Sequence, residues 1–299
     1  MTQTFAVSGA SGLVGSALVA NLEQKGYVVR RLVRQGASSE AQIAYAPSRG
    51  TIDVDAFAGV DVVIHLAGAG IADRRWSNSY KDQIRSSRVD STRLIARAMT
   101  SCSGGPQTLV SASAIGFYGP CGDEMVDEER AAGSGFLADV CRAWEAETEA
   151  VSAGGGRVVR ARIGIVLSPA GGALRRMLPA FKFGVGGRLG DGRQYMSWIT
   201  LQDTVRALVH LATHAECSGP VNVVAPNPVT NQEFTSTLGR VLGRPAVMNV
   251  PSAALNLMFG EMARPLLLQG NRVCPKRLQE LGFDWHHQEL EPALRSLGI

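Results

Sequence analysis

The stretch Thr4-Phe-Ala-Val-Ser8, Gly9-Ala-Ser-Gly12-Leu-Val-Gly15, followed by Ser16–Lys25, decides the fold. A short apolar run leads straight into a glycine-rich turn and then a helix-like segment. That is the context a dinucleotide-binding fingerprint requires. Gly9 lets the chain turn tightly, Gly12 lets the backbone approach a pyrophosphate, and Gly15 lets the helix pack on the strand. Ser11, Leu13 and Val14 complete the expected cradle. The helix N-terminus offers free N–H groups and a positive dipole end to phosphates. Glycines at this spacing carry little alone; the flanking strand, helix and second strand make them specific.

Outward from this loop the first half alternates strand and helix. Tyr27–Val33, Asp61–Leu66, Gln107–Ser113 and Val158–Leu167 read as strands, Asn78–Thr100 and Gly135–Ala153 as helices. The strands are near-continuous apolar runs, as buried parallel strands are. The pattern predicts an α/β fold, a doubly wound parallel Rossmann-like sheet with ligand at the carboxyl ends of its strands. After Leu167 the composition changes. Gly171-Gly172 and Gly184–Gly192 read either as a linker or, given their Arg and aromatic neighbours, as the favoured alternative, a loop covering substrate. Tyr195–Thr200 and Asp203–Thr213 read as a strand and capped helix returning to the main domain. A smaller α-rich region follows, with Thr230-Asn231 capping a helix over Gln232–Leu242 and core helices within Pro245–Leu268. The expected division is a dinucleotide-binding domain of residues 1–168 and 197–218, and a C-terminal substrate domain of 169–196 and 219–299.

The 299 residues suffice for such a pair of units. Hydrophobic residues at 45% and charged residues at 19% are ordinary for a globular enzyme. A net charge of +4 without basic runs argues against a nucleic-acid partner. The five cysteines are odd in number and none are spaced C-x-x-C, so neither a disulfide framework nor a metal site is expected, and a reducing cytoplasm is. No signal-peptide pattern and no apolar run of about 18 residues is visible, so no membrane partner is expected. The expected partners are a small-molecule substrate of unidentified class and a second copy in a homodimer.

The second strand ends Arg30-Arg31-Leu-Val-Arg34, with no acid before Glu40. An acid there would bond a ribose 2′-hydroxyl, whereas Arg accommodates a 2′-phosphate. Arg34 therefore favours NADP over NAD, and Arg31 is placed on the opposite face. Leu66, Ala67, Gly68 and Ala69 end the next strand, where small residues permit backbone contact with cofactor. His65, inside the apolar run, reads as structural.

Gly9–Gly15, His65–Ala69 and Ser111–Gly119 resemble the extended short-chain dehydrogenase/reductase superfamily. More narrowly, the chain resembles its atypical "epimerase family" branch, sometimes labelled cell-division inhibitor. Arg74-Arg-Trp76, Ser87-Arg-Val89, Gly171-Gly-Ala-Leu174, Gly186–Gly190, Gly192-Arg-Gln194, Ser197-Trp-Ile199, Asn222–Pro228 and Pro275-Lys276 carry that likeness nearly end to end. It implies a nicotinamide cofactor also touched by Ser111, Ala112 and Ile163, and a catalytic Tyr-x-x-x-Lys dyad with a Ser on the preceding strand. The sequence departs from the dyad: no tyrosine has Lys four residues on, and Phe136-Leu137 and Cys141 occupy the region. Arg88 stands about where the superfamily has Asn. Ser113 matches the catalytic Ser. Tyr118, in a loop expected to face the same cleft, is the first choice for acid/base, against a bland role in its turn. Lys81 and Arg88 are placed to reach cofactor phosphate or a substrate anion. Trp76, Tyr195 and Trp198 are candidate pocket walls, although aromatics are more often core. Two readings follow: an NADP-dependent oxidoreductase or epimerase on a small polar or nucleotide-linked substrate, or a non-catalytic NADP-binding regulator, linked to cell division by the family label.

Overall fold

The computed structural model describes residues 2–34 and 36–299. Its centre is an eight-stranded sheet. In chain order the strands are β1 (Thr4–Ser8), β2 (Val28–Val33), β3 (Gln42–Ala46), β4 (Thr51–Ile52), β5 (Val62–His65), β6 (Thr108–Ala114), β7 (Arg157–Ile163) and β8 (Gly219–Val223). They lie side by side as β8-β7-β6-β5-β1-β2-β3-β4. Every neighbouring pair is parallel except β3–β4. The chain leaves β1 for β2 on one side and later returns as β5 on the other. The crevice between the carboxyl ends of β1 and β5 is therefore the switch point, where such sheets take ligands.

Parallel strands bury both faces. Phe5 and Val7 pack with Leu18 and Leu22 of α1 (Leu13–Gln24), while Ala6 between them faces Ile95 and Met99 of the long helix α2 (Asn78–Ser101). The reading of Gly135–Ala153 as one helix meets a break. Thr148 donates its hydroxyl to the Glu145 carbonyl at 2.6 Å, and α3 (Phe136–Ala146) gives way to the short α4 (Glu149–Ala153). Val158–Leu167 is likewise two strands: a Cβ on Gly164 would lie 2.5 Å from the Ser197 carbonyl oxygen, and Ile165–Leu167 leaves the sheet to pair with Trp198–Thr200.

The smaller unit packs α5 (Gly172–Lys182), α7 (Asn231–Leu242) and α10 (Leu290–Ser296) around Leu174, Phe181, Trp198, Phe234 and Leu294. Between α5 and α7, α6 (Leu201–Thr213) returns to the main core through Val205 and Leu208. The boundary expected at Gly219 moves. Gly219–Val223 is the edge strand of the main sheet, and Leu278 of α9 (Lys276–Glu280) joins that core with Phe283 and Trp285. Pro245–Leu268 is not a pair of core helices. In α8 (Ser252–Phe259) only Leu255 is buried, while Leu257 and Met258 are exposed, as is Val247 ahead of the helix. Nor is Gly184–Gly192 an open cover. Gly187–Leu189 pairs with Met248–Val250, and a Cβ on Gly187 would lie 1.8 Å from the Met248 carbonyl oxygen. Close strand approach, rather than loop motion, requires that glycine.

Candidate cofactor and active site

The turn after β1 has the geometry its glycines suggest. Gly9 has φ +68°, and a Cβ on it would lie 2.9 Å from the Leu66 carbonyl carbon. A Cβ on Gly15 would lie 2.1 Å from the Gly9 carbonyl oxygen, so helix and turn touch there. Gly12 differs: its N–H closes the turn onto the Gly9 carbonyl at 2.9 Å, and a Cβ would meet that oxygen alone. The other side of Gly12 is open. Gly12 and Ser11 are exposed, Leu13 and Val14 half-buried, and no side chain caps α1. The first N–H groups of α1 thus face outward, available to an anion.

A buried serine–histidine–serine chain holds this turn to the end of β5. Ser8 Oγ accepts the Leu66 N–H at 3.1 Å, and Ser91 Oγ donates to the Ser87 carbonyl at 2.7 Å. His65 lies between them, Nδ1 at 2.5 Å from Ser8 Oγ and Nε2 at 3.0 Å from Ser91 Oγ. Ser91 spends its proton on the carbonyl, so it accepts from Nε2–H, and Nδ1 accepts from Ser8. Only a neutral imidazole satisfies both. Burial, helped by the Arg88 cation, pushes the His65 pKa down to about 3.

At the end of β2, Arg34 is exposed, while Arg31 pairs with Glu23 on α1 at 2.5 Å. Past β5, the Ala69 N–H donates to Ser87 Oγ at 3.0 Å. A Cβ on Gly68 would lie 3.2 Å from Arg88 Cζ. Arg88 also sits over the Trp144 ring at 5.2 Å and donates to the Ile84 carbonyl at 3.0 Å. It has no carboxylate partner among the described residues. Burial lowers its pKa. Lys81 is bonded to Glu261 at 2.9 Å and lies over the Phe136 ring at 5.8 Å. Ser111 and Ala112 are buried in β6, and Ile163 is half-buried at the end of β7.

In the dyad region Leu137 and Cys141 pack against Gly116. Burial pushes the Cys141 thiol up to about 11, which leaves it un-ionised and inert. Ser113 donates to Glu145 at 2.6 Å. Arg162 grips Glu145 with both arms at 2.9 Å and reaches the Tyr118 hydroxyl at 3.1 Å. Tyr118 donates to Asn222 Oδ1 at 2.7 Å, and the Asn222 N–H donates to Glu128 at 2.9 Å. These side chains are all buried, and Arg162 lies 3.5 Å from the Phe117 ring centroid.

This network corrects the expectation for Tyr118. Its hydroxyl does not face the cleft: the residue is 2% exposed and both its hydrogen bonds are internal. Burial pushes its pKa up to about 12. Ser113 is also constrained. Its one proton is given to Glu145, so toward a ligand its oxygen can only accept. Trp198 is fully buried core, donating to the Asn227 carbonyl at 3.1 Å. Trp76 stands edge-on to Phe136 at 4.9 Å, and half-buried Tyr195 lies under Arg272 at 5.2 Å. Neither Glu145 nor Arg162 is a site residue by the sequence reading, and Asn222 enters there only as the start of the Asn222–Pro228 stretch. The available signal was Arg162 within the apolar run of β7, directly beside Ser113 of β6, because a buried guanidinium in a strand calls for a carboxylate.

Residues 5–224 match the model of the NAD dependent epimerase/dehydratase family, and residues 250–297 match a domain of unknown function. The chain belongs to the NAD-dependent epimerase/dehydratase family. An epimerase family protein of Mycobacterium bovis is 46% identical over 289 residues, 97% of this chain and 95% of that protein. The crystal structure of the human epimerase family protein SDR39U1 with NADPH superposes with a TM-score of 0.89 at 30% identity, covering 99% of each chain. A nucleoside-diphosphate sugar epimerase from Corynebacterium glutamicum superposes with a TM-score of 0.81 at 36% identity, covering all of this chain and 59% of that one.

Proposed function

We propose that this family member binds NADPH across the β1–β5 crevice and uses it in hydride transfer with a small polar substrate. The observation that carries the reading is the turn at Gly9–Gly15, whose open side at Gly12 presents the N-terminus of α1 to a pyrophosphate. The NADPH in the human relative supports the same cofactor here. When bound, the cofactor supplies the hydride. The protein's own share is binding and orientation. Arg88, a cation with no acid to satisfy it among the described residues, supplies the positive charge that Cys141 cannot supply from the position of the dyad lysine. Ser113, its proton fixed on Glu145, orients a group that donates to it, such as a substrate hydroxyl. Tyr118, its hydroxyl engaged inside the protein, takes no part in proton transfer, and the proton exchanged at the substrate oxygen comes from water.

The test is turnover of NADPH against a panel of carbonyl and hydroxyl metabolites, followed by nicotinamide absorbance and by product analysis. A reductase consumes the cofactor, whereas an epimerase changes substrate configuration without net consumption. A second reading, a cofactor-sensing regulator without turnover, is favoured by one observation: the Tyr118 and Ser113 hydroxyls are both engaged inside the protein. It is supported if NADPH binds, no substrate turns over, and a partner's affinity changes with the cofactor.

A further inference from the structure

The carboxyl ends of β2 and β3 open onto a cavity of about 380 Å³. Ligand pockets span roughly 300–1,000 Å³. Tyr45 of β3, Arg34, Arg49 and Asp53 are among its walls. The neighbouring arginines are committed elsewhere. Arg30 donates to the Ala56 and Ala58 carbonyls at 2.9 and 3.0 Å, and Arg31 is paired with Glu23. Arg34 and Arg49 are both exposed, and neither has an ion pair or hydrogen bond among the described residues. Asp53 accepts the Ala56 N–H at 3.2 Å and bridges to neither arginine. Arg49 is held by a short turn, Pro47–Arg49, which opens on a proline of fixed φ and closes at Gly50 with φ +64°.

Charge counting favours both arginines. Two guanidinium groups and one carboxylate leave the cavity with a net positive charge; with a single arginine it would be neutral. A phosphomonoester carries about −1.5 to −2 near pH 7. We propose that Arg34 and Arg49 form a two-arginine clamp on the 2′-phosphate of NADPH, and that Arg49, on the turn after β3, is a second determinant of cofactor choice. The inference rests on the cofactor reading above. It adds a residue that lies outside both the fingerprint and the end of β2.

Calorimetric titration with NADPH and NADH tests it, on the parent protein and on Arg34→Ala, Arg49→Ala and the double variant. Each single variant should weaken NADPH binding about 10- to 100-fold, as losing a charge-assisted contact does, and leave NADH binding unchanged. The double variant should bind both dinucleotides alike. Arg49→Lys should recover part of the loss, since a point charge replaces a fork. NADPH affinity of the parent should also fall more steeply with salt than NADH affinity. If Arg49→Ala leaves NADPH binding intact, or weakens NADH equally, the clamp is wrong while the cofactor reading stands. A parent that binds NADPH and NADH equally overturns 2′-phosphate recognition altogether. A parent that binds neither overturns the cofactor reading itself.

Discussion

Acid should loosen this protein through His65, beneath the cofactor turn. The ring is fully buried and its pKa is held at about 3, against about 6.5 for an exposed histidine. The sign is fixed by this depression. The unfolded chain takes up a proton that the folded state refuses, so the contribution is complete above the unfolded pKa and is lost as pH falls from about 6.5 toward 3. Between about pH 7 and pH 5 the loss amounts to roughly 2 kcal/mol, a large share of a typical stability of about 5–15 kcal/mol. The geometry gives the same direction. A proton on Nδ1 would face Ser8 Oγ, which already accepts the Leu66 N–H. The assay is urea unfolding followed by the fluorescence of the four tryptophans, at both pH values, for the parent and for His65→Gln. Glutamine keeps a donor and an acceptor but does not titrate. His210 is also held low by burial, so the parent and the variant share its contribution, and the difference isolates His65. The variant should be less stable near pH 7 yet lose about 2 kcal/mol less on acidification. Equal losses in both proteins would refute the reasoning.

Gly12→Val should abolish NADPH binding in calorimetry and leave the circular dichroism spectrum unchanged, because the new side chain fills the open side of the turn and φ at −78° suits any residue. Gly15→Ala should instead destabilise the fold by about 1–3 kcal/mol, read as a lowered melting temperature, since its Cβ meets the Gly9 carbonyl at 2.1 Å. Tyr118→Phe should cost about 1–3 kcal/mol of stability by leaving Arg162 and Asn222 short of a partner, while any kcat changes by less than the roughly 100-fold expected of a lost general acid. Cys141→Ala should leave NADPH affinity and any activity nearly unchanged, and in the parent Cys141 should resist alkylation until the protein is unfolded.

The parts of this protein legible in its sequence are those governed by local rules. Gly12 and Gly15 answer a constraint set by Gly9 within the same turn, Gly9 has a positive φ, and the apolar runs of β1, β5 and β6 declare burial on both faces. Arg34 is readable for the same reason, since it lies a fixed distance beyond the turn. Arg49 is not, because it lines the same cavity as Arg34 only when β3 lies beside β2, a pairing that no local rule announces. Tyr118 shows the same limit from the other side. Its position after β6 is legible, but the direction of its ring depends on Arg162, Asn222 and Glu145, drawn from β7, β8 and α3. A buried Arg–Glu pair is costly to desolvate and is retained where its remaining donors and acceptors are all met. Here Ser113 donates to Glu145, and Arg162 donates to the Tyr118 hydroxyl. The hydroxyls of Ser113 and Tyr118 thus satisfy the interior, while Arg88 is a half-buried cation with no carboxylate partner among the described residues.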